Sequence, residues 1–354
     1  MTEHIRKAIH VRLMSFLNAA GLHPDRIAKV VFSGNTTMLY LLFGLDIEPL
    51  GRCPYHAGTR EFRGMTPSDV GLHELSCAEA AALPVLSAFI GADLVGGLAL
   101  CRERGIESNA FFIDLGTNGE IFAMNGAGEV FSASCAMGPA LEGMSISWGM
   151  TASPGAITHV DELAGDLIYR MIGEGEPSGM TGTALIDLLA ILLDRGDISS
   201  GGALARSTGA GSIPADKTGR EMRLWGEIRL TQRDIRNVQL AKAASLSASR
   251  FLLEASSMNP EEVEHVFIAG AFGEHLDLDR FERLGFIPCF PNADKEFLGN
   301  TSLKAAQKSC IDPGFLDRAV LLRDSVKEVA LSSLPGFQDV LIQSLDFPAG
   351  RCGR

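Results

Sequence analysis

The chain has no C-x-x-C pair; its seven cysteines, Cys53, Cys77, Cys101, Cys135, Cys289, Cys310 and Cys352, are scattered. That scatter argues against a structural zinc or a Cys-ligated iron–sulfur cluster, and it fits a reducing cytoplasm. His56, His73 and Cys77 are too irregularly spaced for a metal site and read as surface residues. Positive charge is also short, with 31 Lys and Arg against 43 Asp and Glu and a formal net charge of −12. Such a surface is not expected to bind nucleic acid. No apolar run approaches the ~20 residues a bilayer span needs, because Gly or charge breaks the longest ones. Met1-Thr2-Glu3-His4-Ile5-Arg6-Lys7 opens directly into an amphipathic helix, without the apolar stretch of a signal peptide. No membrane partner and a cytoplasmic location are therefore expected.

What is present is ordinary globular material: 354 residues, 46% hydrophobic and 21% charged, enough for one large or two medium domains. One stretch stands out, Phe111-Phe112-Ile113-Asp114-Leu115-Gly116-Thr117-Asn118-Gly119-Glu120-Ile121-Phe122. An apolar strand delivers a carboxylate at its end, a Gly-Thr-Asn-Gly turn follows, and a second apolar strand leads back. The glycines permit positive φ, so successive backbone N–H groups can converge on an anion. A carboxylate beside bare phosphate would be repelled, but a hydrated divalent metal between them makes the pairing favourable. Two readings follow, a metal–phosphate hairpin or a plain β-hairpin with a glycine-rich turn.

Along the chain, apolar residues at helical spacing predict a helix over 5–20, stopped by Gly21. A strand Val30–Phe32 ends at Ser33-Gly34-Asn35-Thr36-Thr37, and a short helix runs from Met38 to Phe43. Residues 46–80 read as mostly loop with room for one strand, and Pro84–Phe89 as extended. Ile90–Arg104 is a helix rich in Gly and Ala, which implies close packing against another helix. Strands are predicted near 156–160 and 166–172 and a helix over Gly182–Leu193. Residues 196–220 form a Gly/Ser/Ala-rich, mobile loop. Within it, Gly211 and Asp216-Lys217-Thr218 nearly spell a P-loop, but Asp216 stands where glycine is required and no apolar strand precedes. Thr231 caps a long helix reaching Ser256, and a strand His265–Ile268 runs into Ala269–Gly273. The alternation of strands and helices predicts an α/β fold.

The chain also repeats itself. FLNAAGLHPDRIAKVVFSGN at 16–35 aligns without gaps on LLEASSMNPEEVEHVFIAGA at 252–271, pairing Leu17 with Leu253, Pro24 with Pro260, Val30 with Val266 and Gly34 with Gly270. Duplicated lobes suggest a nucleotide cleft, each lobe giving one strand-end loop. No counterpart of the Asp114 hairpin precedes Ser33-Gly34, so the first lobe is expected to be incomplete. The expected division is residues 1–89 as a partial first lobe, 90–345 as the second and 346–354 as a tail.

These pieces resemble the second half of the actin, sugar-kinase and heat-shock-chaperone ATPases (ASKHA), with their RNase H-like lobes of mixed sheets flanked by helices. More narrowly, IDLGTNGEI, SCAMGPALEG, GMTASPGAI, TQRDIRNVQLAKAA, IAGAFG and GNTSL resemble the reductive activators of corrinoid proteins over nearly the whole chain. The resemblance implies ATP-dependent rescue of Co(II) corrinoid proteins by reduction to Co(I). It implies Mg²⁺ with ATP or ADP as cofactor, a corrinoid protein as partner and a homodimer. A [2Fe–2S] cluster would belong to an N-terminal domain that this sequence does not contain. Carried over, Asp114 would contact Mg²⁺ through water and Glu120 would position a water. Gly116, Thr117, Asn118 and Gly119 would surround phosphate; Gly138 and Glu142 would approach the nucleotide. Gln239, Lys242, Gly270, Ala271, Phe272 and Gly273 would lie by adenosine. Read from the residues alone, Glu120 is as well a solvated strand position, Gln239 and Lys242 a solvated helix face, and Gly34, Asn35 and Thr36 structural. Two rival functions stay open: a nucleotide-free docking or dimerisation scaffold of the same fold, and a small-molecule kinase, for which no first-lobe acceptor carboxylate is evident.

Overall fold

Residues 1–205, 212–216, 219–270 and 276–350 are described here from a computed structural model of the chain. The chain builds two units: Met1–Glu107 with Asn300–Lys327, and Ser108–Gly299 with Glu328–Arg354.

The first unit opens with α1 (Thr2–Ala19), of which only Leu17 is fully buried, and a Pro24–Arg26 turn leads into β1 (Lys29–Phe32). Asn35 accepts the Met38 N–H at 2.9 Å and so starts α2 (Thr36–Phe43), which ends on left-handed Gly44. After α3 (Glu48–Gly51) come β2 (Phe62–Met65), β3 (Glu79–Ala82) and α4 (Ala92–Glu103). The sheet order is β1-β3-β2, with β1 parallel and β2 antiparallel to β3. The strand falls at 79–82 rather than over Pro84–Phe89, because the Ser87 hydroxyl and the Ile90 carbonyl close a turn there.

In the second unit, β4 (Ala110–Leu115), β5 (Asn118–Met124) and β6 (Val130–Ala136) form an antiparallel meander. β7 (Ala156–Leu163), β8 (Asp166–Met171) and β9 (Gly179–Met180) make a second sheet in the order β8-β7-β9. Next come α5 (Gly182–Arg195) and a third sheet of β10 (Ser212–Asp216), β11 (Gly219–Arg223) and β12 (Arg229–Thr231). Residues 196–220 are therefore partly strand; Gly211, Lys217 and Thr218 lie outside the described residues. Then follow α6 (Gln232–Ala255), β13 (His265–Gly270), α7 (Leu278–Arg283) and β14 (Asp294–Gly299). α8 (Thr301–Ile311) and α9 (Phe315–Ser325) return to the first unit; β15 (Lys327–Glu328) and α10 (Phe337–Gln343) follow.

The main sheet runs β14-β13-β4-β5-β6-β15, with β13 parallel to both β4 and β14. β4 is apolar on both faces because both are covered: Phe111 and Ile113 enter the principal core, while Phe112 stacks on Phe122 at 4.7 Å. Capping sets where α6 begins. Thr231 and Asp234 satisfy each other's backbone N–H groups, and buried Asp234 also accepts Ser147 N–H at 2.8 Å.

This grouping differs from the expected division at residue 89. α4 and residues 300–327 belong to the first unit, because α4 presents glycine where another helix approaches. A Cβ on Gly96 would stand 2.9 Å from the Ala305 Cβ on α8, so the close helix packing expected for 90–104 is met within that unit. The repeat has a structural counterpart. Both copies are helix, short turn at Pro24 or Pro260, then strand. Within the expected tail, Phe347 is 3% exposed. Cys101 and Cys135 are buried free thiols, and Cys53, Cys77 and Cys310 are exposed ones. Cys289 is disulfide-bonded, whereas the scattered cysteines suggest a reducing environment. Among the described residues no helix is long and apolar enough to cross a membrane.

Candidate functional site

The β4–β5 register sets Asp114 directly opposite Glu120, with Ala269 of β13 on the other side. Like charges facing across a pair of strands repel, so the arrangement suits a site that meets positive charge. Asp114 is half-buried; Glu120 is 5% exposed, which overturns its reading as a solvated strand position. Behind it the Cys135 thiol is pushed up to about 12, by burial first and then by the Glu120 charge.

The turn itself differs from the expected nest. Neither Gly116 nor Gly119 adopts positive φ, and the Gly116 N–H donates to the Asn118 carbonyl at 3.0 Å. Gly119 makes room for packing, because a Cβ there would meet the Met137 sulfur at 2.7 Å. The left-handed glycines are Gly138 (φ +75°) and Gly143 (φ +80°), in the loop that folds onto the turn. Gly138 N–H donates to the Thr117 carbonyl at 2.9 Å, and the Thr117 hydroxyl donates to both Glu142 carboxylate oxygens at 3.0 Å. Nothing lies within 4 Å of a Cβ built on Gly138, so that backbone borders open space. Residues from two stretches, Asp114, Thr117 and Glu120 of the hairpin and Gly138 with Glu142 of the following loop, thus meet at one sheet end.

At the neighbouring strand end Gly270 has φ +132°, and a Cβ there would lie 2.4 Å from the Leu115 carbonyl oxygen. Ala271, Phe272 and Gly273 lie outside the described residues. Gln239 and Lys242 are not a solvated helix face, being 1% and 0% exposed. Gln239 Nε2 donates to the Leu345 carbonyl at 3.0 Å, and Lys242 Nζ to that of Asp346 at 2.5 Å. Burial, then the like charge of Arg250, lowers the Lys242 ammonium from 10.5 to about 8, against the pull of Asp346. Between those values the unfolded chain holds a proton that the folded chain has shed, so stability rises with pH. The unfolding free energy of wild type relative to Lys242→Met should therefore climb between pH 8 and 10.5, by at most about 3 kcal/mol. Urea denaturation across that range checks it, and a flat or falling difference would count against the buried ammonium.

In the first unit, Gly34, Asn35 and Thr36 have structural duties. Asn35 caps α2, Thr36 Oγ1 donates to the Ser87 carbonyl at 2.7 Å, and the Gly34 carbonyl accepts Ala92 N–H at 3.0 Å. Gly91 permits that approach, since its Cβ would fall 2.5 Å from the Asn35 Cα. Sequence reasoning missed Asp93 in the first turn of α4, whose carboxyl is raised by burial against the opposing Leu94 N–H bond. An acid two residues after glycine at a helix start was the available signal. It also missed the His159, Asp187 and Arg280 cluster, which no local pattern announces.

The donor set fits a hydrated divalent cation rather than a bare one. Among the described residues no three His, Cys, Asp or Glu side chains cluster to ligate a metal directly. Mg²⁺ keeps most of its waters and needs only one or two carboxylates, and half-buried Asp114 at the end of β4 is a donor of that kind.

A carboxylate hairpin, a parallel strand ending in glycine and a long capped helix behind them define an ASKHA-type domain. Residues 108–352 match the C-terminal domain of RACo, the ASKHA domain, and residues 1–103 match the RACo middle region. The chain belongs to the RACo family. It is 30% identical over 304 residues to the corrinoid activation enzyme RamQ of Eubacterium limosum, covering 81% of this chain and 51% of that protein. It is 28% identical over 334 residues to the [Co(II) methylated amine-specific corrinoid protein] reductase of Methanosarcina barkeri, covering 84% and 58%. A solved reductive activator for corrinoid, iron-sulfur protein superposes with a TM-score of 0.87 at 27% identity, over 98% of this chain and 57% of that one. The chain thus spans just over half the length of these relatives.

Proposed function

We propose that this chain is the nucleotide-responsive and partner-docking part of a reductive activator that returns Co(II) corrinoid proteins to Co(I). Two relatives named for corrinoid activation and reduction support the class of reaction. The observation that carries the nucleotide part is the facing pair Asp114 and Glu120 beside the Thr117–Glu142 latch. In this reading Asp114 holds waters of a Mg²⁺ ion, and buried Glu120 orients a water at the terminal phosphate. Gly138 and its neighbours present backbone at the phosphates, and the latch holds that loop over the turn. Binding and hydrolysis of Mg-ATP would supply the free energy that biases the partner's conformation for an uphill electron transfer. The electron itself would come from a [2Fe–2S] domain outside this sequence. The activator would work in the cytoplasm, as a homodimer.

Calorimetry with Mg-ATP tests the nucleotide part. Wild type should bind, and Asp114→Asn should weaken binding at least ~100-fold, the scale of a lost charge contact. No binding by wild type at millimolar ATP would sink it and favour the nucleotide-free scaffold. Capture of a Co(II) corrinoid protein from a defined mixture, strengthened by nucleotide, separates an activator from a small-molecule kinase.

A further inference from the structure

Both α6 side chains expected beside adenosine are already engaged by the chain's own C-terminal segment. Gln239 Nε2 donates to the Leu345 carbonyl at 3.0 Å, while its Oε1 accepts from Arg236 at 2.6 Å. Lys242 Nζ donates to the Asp346 carbonyl at 2.5 Å and sits 5.7 Å from the centre of the Phe347 ring. The same segment is tied down beyond α6. Phe347 N–H donates to the Ser200 carbonyl at 2.8 Å, and Arg283 Nη1 donates to the Pro348 carbonyl at 2.8 Å.

The seat is shaped for this occupant. Gly202 and Gly285 both have positive φ, and a Cβ on either would collide, at 2.4 Å with Gln239 or at 2.9 Å with Pro348. Only one side chain of the segment, Phe347, is buried as an anchor, and the remaining grip is hydrogen bonds to its backbone. Backbone carbonyls and ribose hydroxyls are interchangeable acceptors for an amide N–H and an ammonium. A strap held by such individually modest bonds is displaceable by a ligand that replaces them.

We propose that residues 345–348 are an autoinhibitory strap: their seat on Gln239 and Lys242 is the face of α6 that the family resemblance places beside adenosine, so strap seating and nucleotide entry exclude one another. This rests on the nucleotide reading above and adds a regulation to it. In the nucleotide-bound state the strap is out.

The test uses the whole chain. Hydrogen–deuterium exchange is followed at the Leu345–Phe347 amides with and without saturating Mg-ADP, and Mg-ADP affinity is measured for wild type, Phe347→Ala and the milder Phe347→Leu. The strap predicts at least fivefold faster exchange at Phe347 when nucleotide is bound, and severalfold tighter Mg-ADP binding in either variant. Nucleotide binding that leaves exchange at Phe347 unchanged or slower, with equal affinities, overturns the strap while leaving the nucleotide site standing. Absence of binding in wild type and both variants overturns the nucleotide reading, and the strap with it.

Discussion

Gly270→Ala is expected to lower the unfolding free energy by about 3 kcal/mol or more and to abolish nucleotide binding, because two penalties coincide there. Gly270 sits at φ +132°, where an L-residue with a Cβ is strained. The new Cβ would also lie 2.4 Å from the Leu115 carbonyl oxygen and 3.1 Å from its nitrogen. Neither strand can yield. β13 and β4 are paired in register from His265 with Ala110 to Gly270 with Leu115, and both are buried. Any outward shift of β4 also moves Asp114, one residue before Leu115. Gly138→Ala is the contrasting case, since φ +75° is strained but nothing lies within 4 Å of the added carbon. It should cost only ~1–2 kcal/mol. Urea denaturation and calorimetry on both variants check the ranking, and a Gly270→Ala protein of wild-type stability would refute it.

Arg280→Ala carries the second large effect. Asp187 is 1% exposed, and its carboxylate meets His159 Nδ1 at 2.6 Å, Val160 N–H at 3.2 Å and Arg280 Nη1 at 3.0 Å. Arg280 also donates to the Val160 carbonyl at 2.6 Å and to Asp161 at 2.8 Å, pinning α7 to β7. Removing it leaves a buried carboxylate without its principal cation, which costs on the order of 3–5 kcal/mol. Adding Asp187→Asn to that variant should recover part of the loss, because the orphaned charge is gone. Direction with pH follows from Asp187, whose carboxyl is raised by burial against the lowering pull of Val160 N–H and Arg280. A raised carboxyl contributes stability that is complete below its unfolded value and is lost as pH rises through the folded one. Without Arg280 the carboxyl rises further, so the variant should be worst at neutral pH and closest to wild type in mild acid. Denaturation midpoints at the two pH values decide; equal losses at both would mean that packing, not charge, is what Arg280 supplies.

Short-range features were legible in the residues. Thr231 and Asp234 announce the start of α6, and the Gly-Thr step at 116–117 announces the β4–β5 hairpin. The paired Pro24 and Pro260 turns announce the same local design twice. Capping, turn chemistry and hydrophobic period act over a few residues, so their signals survive in one dimension. The carboxylate at a strand end was equally legible, since strand period places Asp114 without reference to any partner.

Which distant surfaces meet is another matter, and only the tertiary structure decided it. The glycine-rich period of α4 said that a helix would approach closely, but that this helix is α8, some two hundred residues away, depends on the shape of both. Gly119 looked like a hinge for a phosphate nest and is instead the space taken by Met137. Gln239 and Lys242 looked like surface donors until residues 345–348 were laid across them, and Asp187 has a cation only because α7 docks on β7. The sequence by itself determined a carboxylate hairpin on an α/β sheet and its capped helix, because those rest on local backbone chemistry. The structure alone decided the division into units, the loop that carries the left-handed glycines, and the strap on α6, because each is a contact between segments with no local trace of the other.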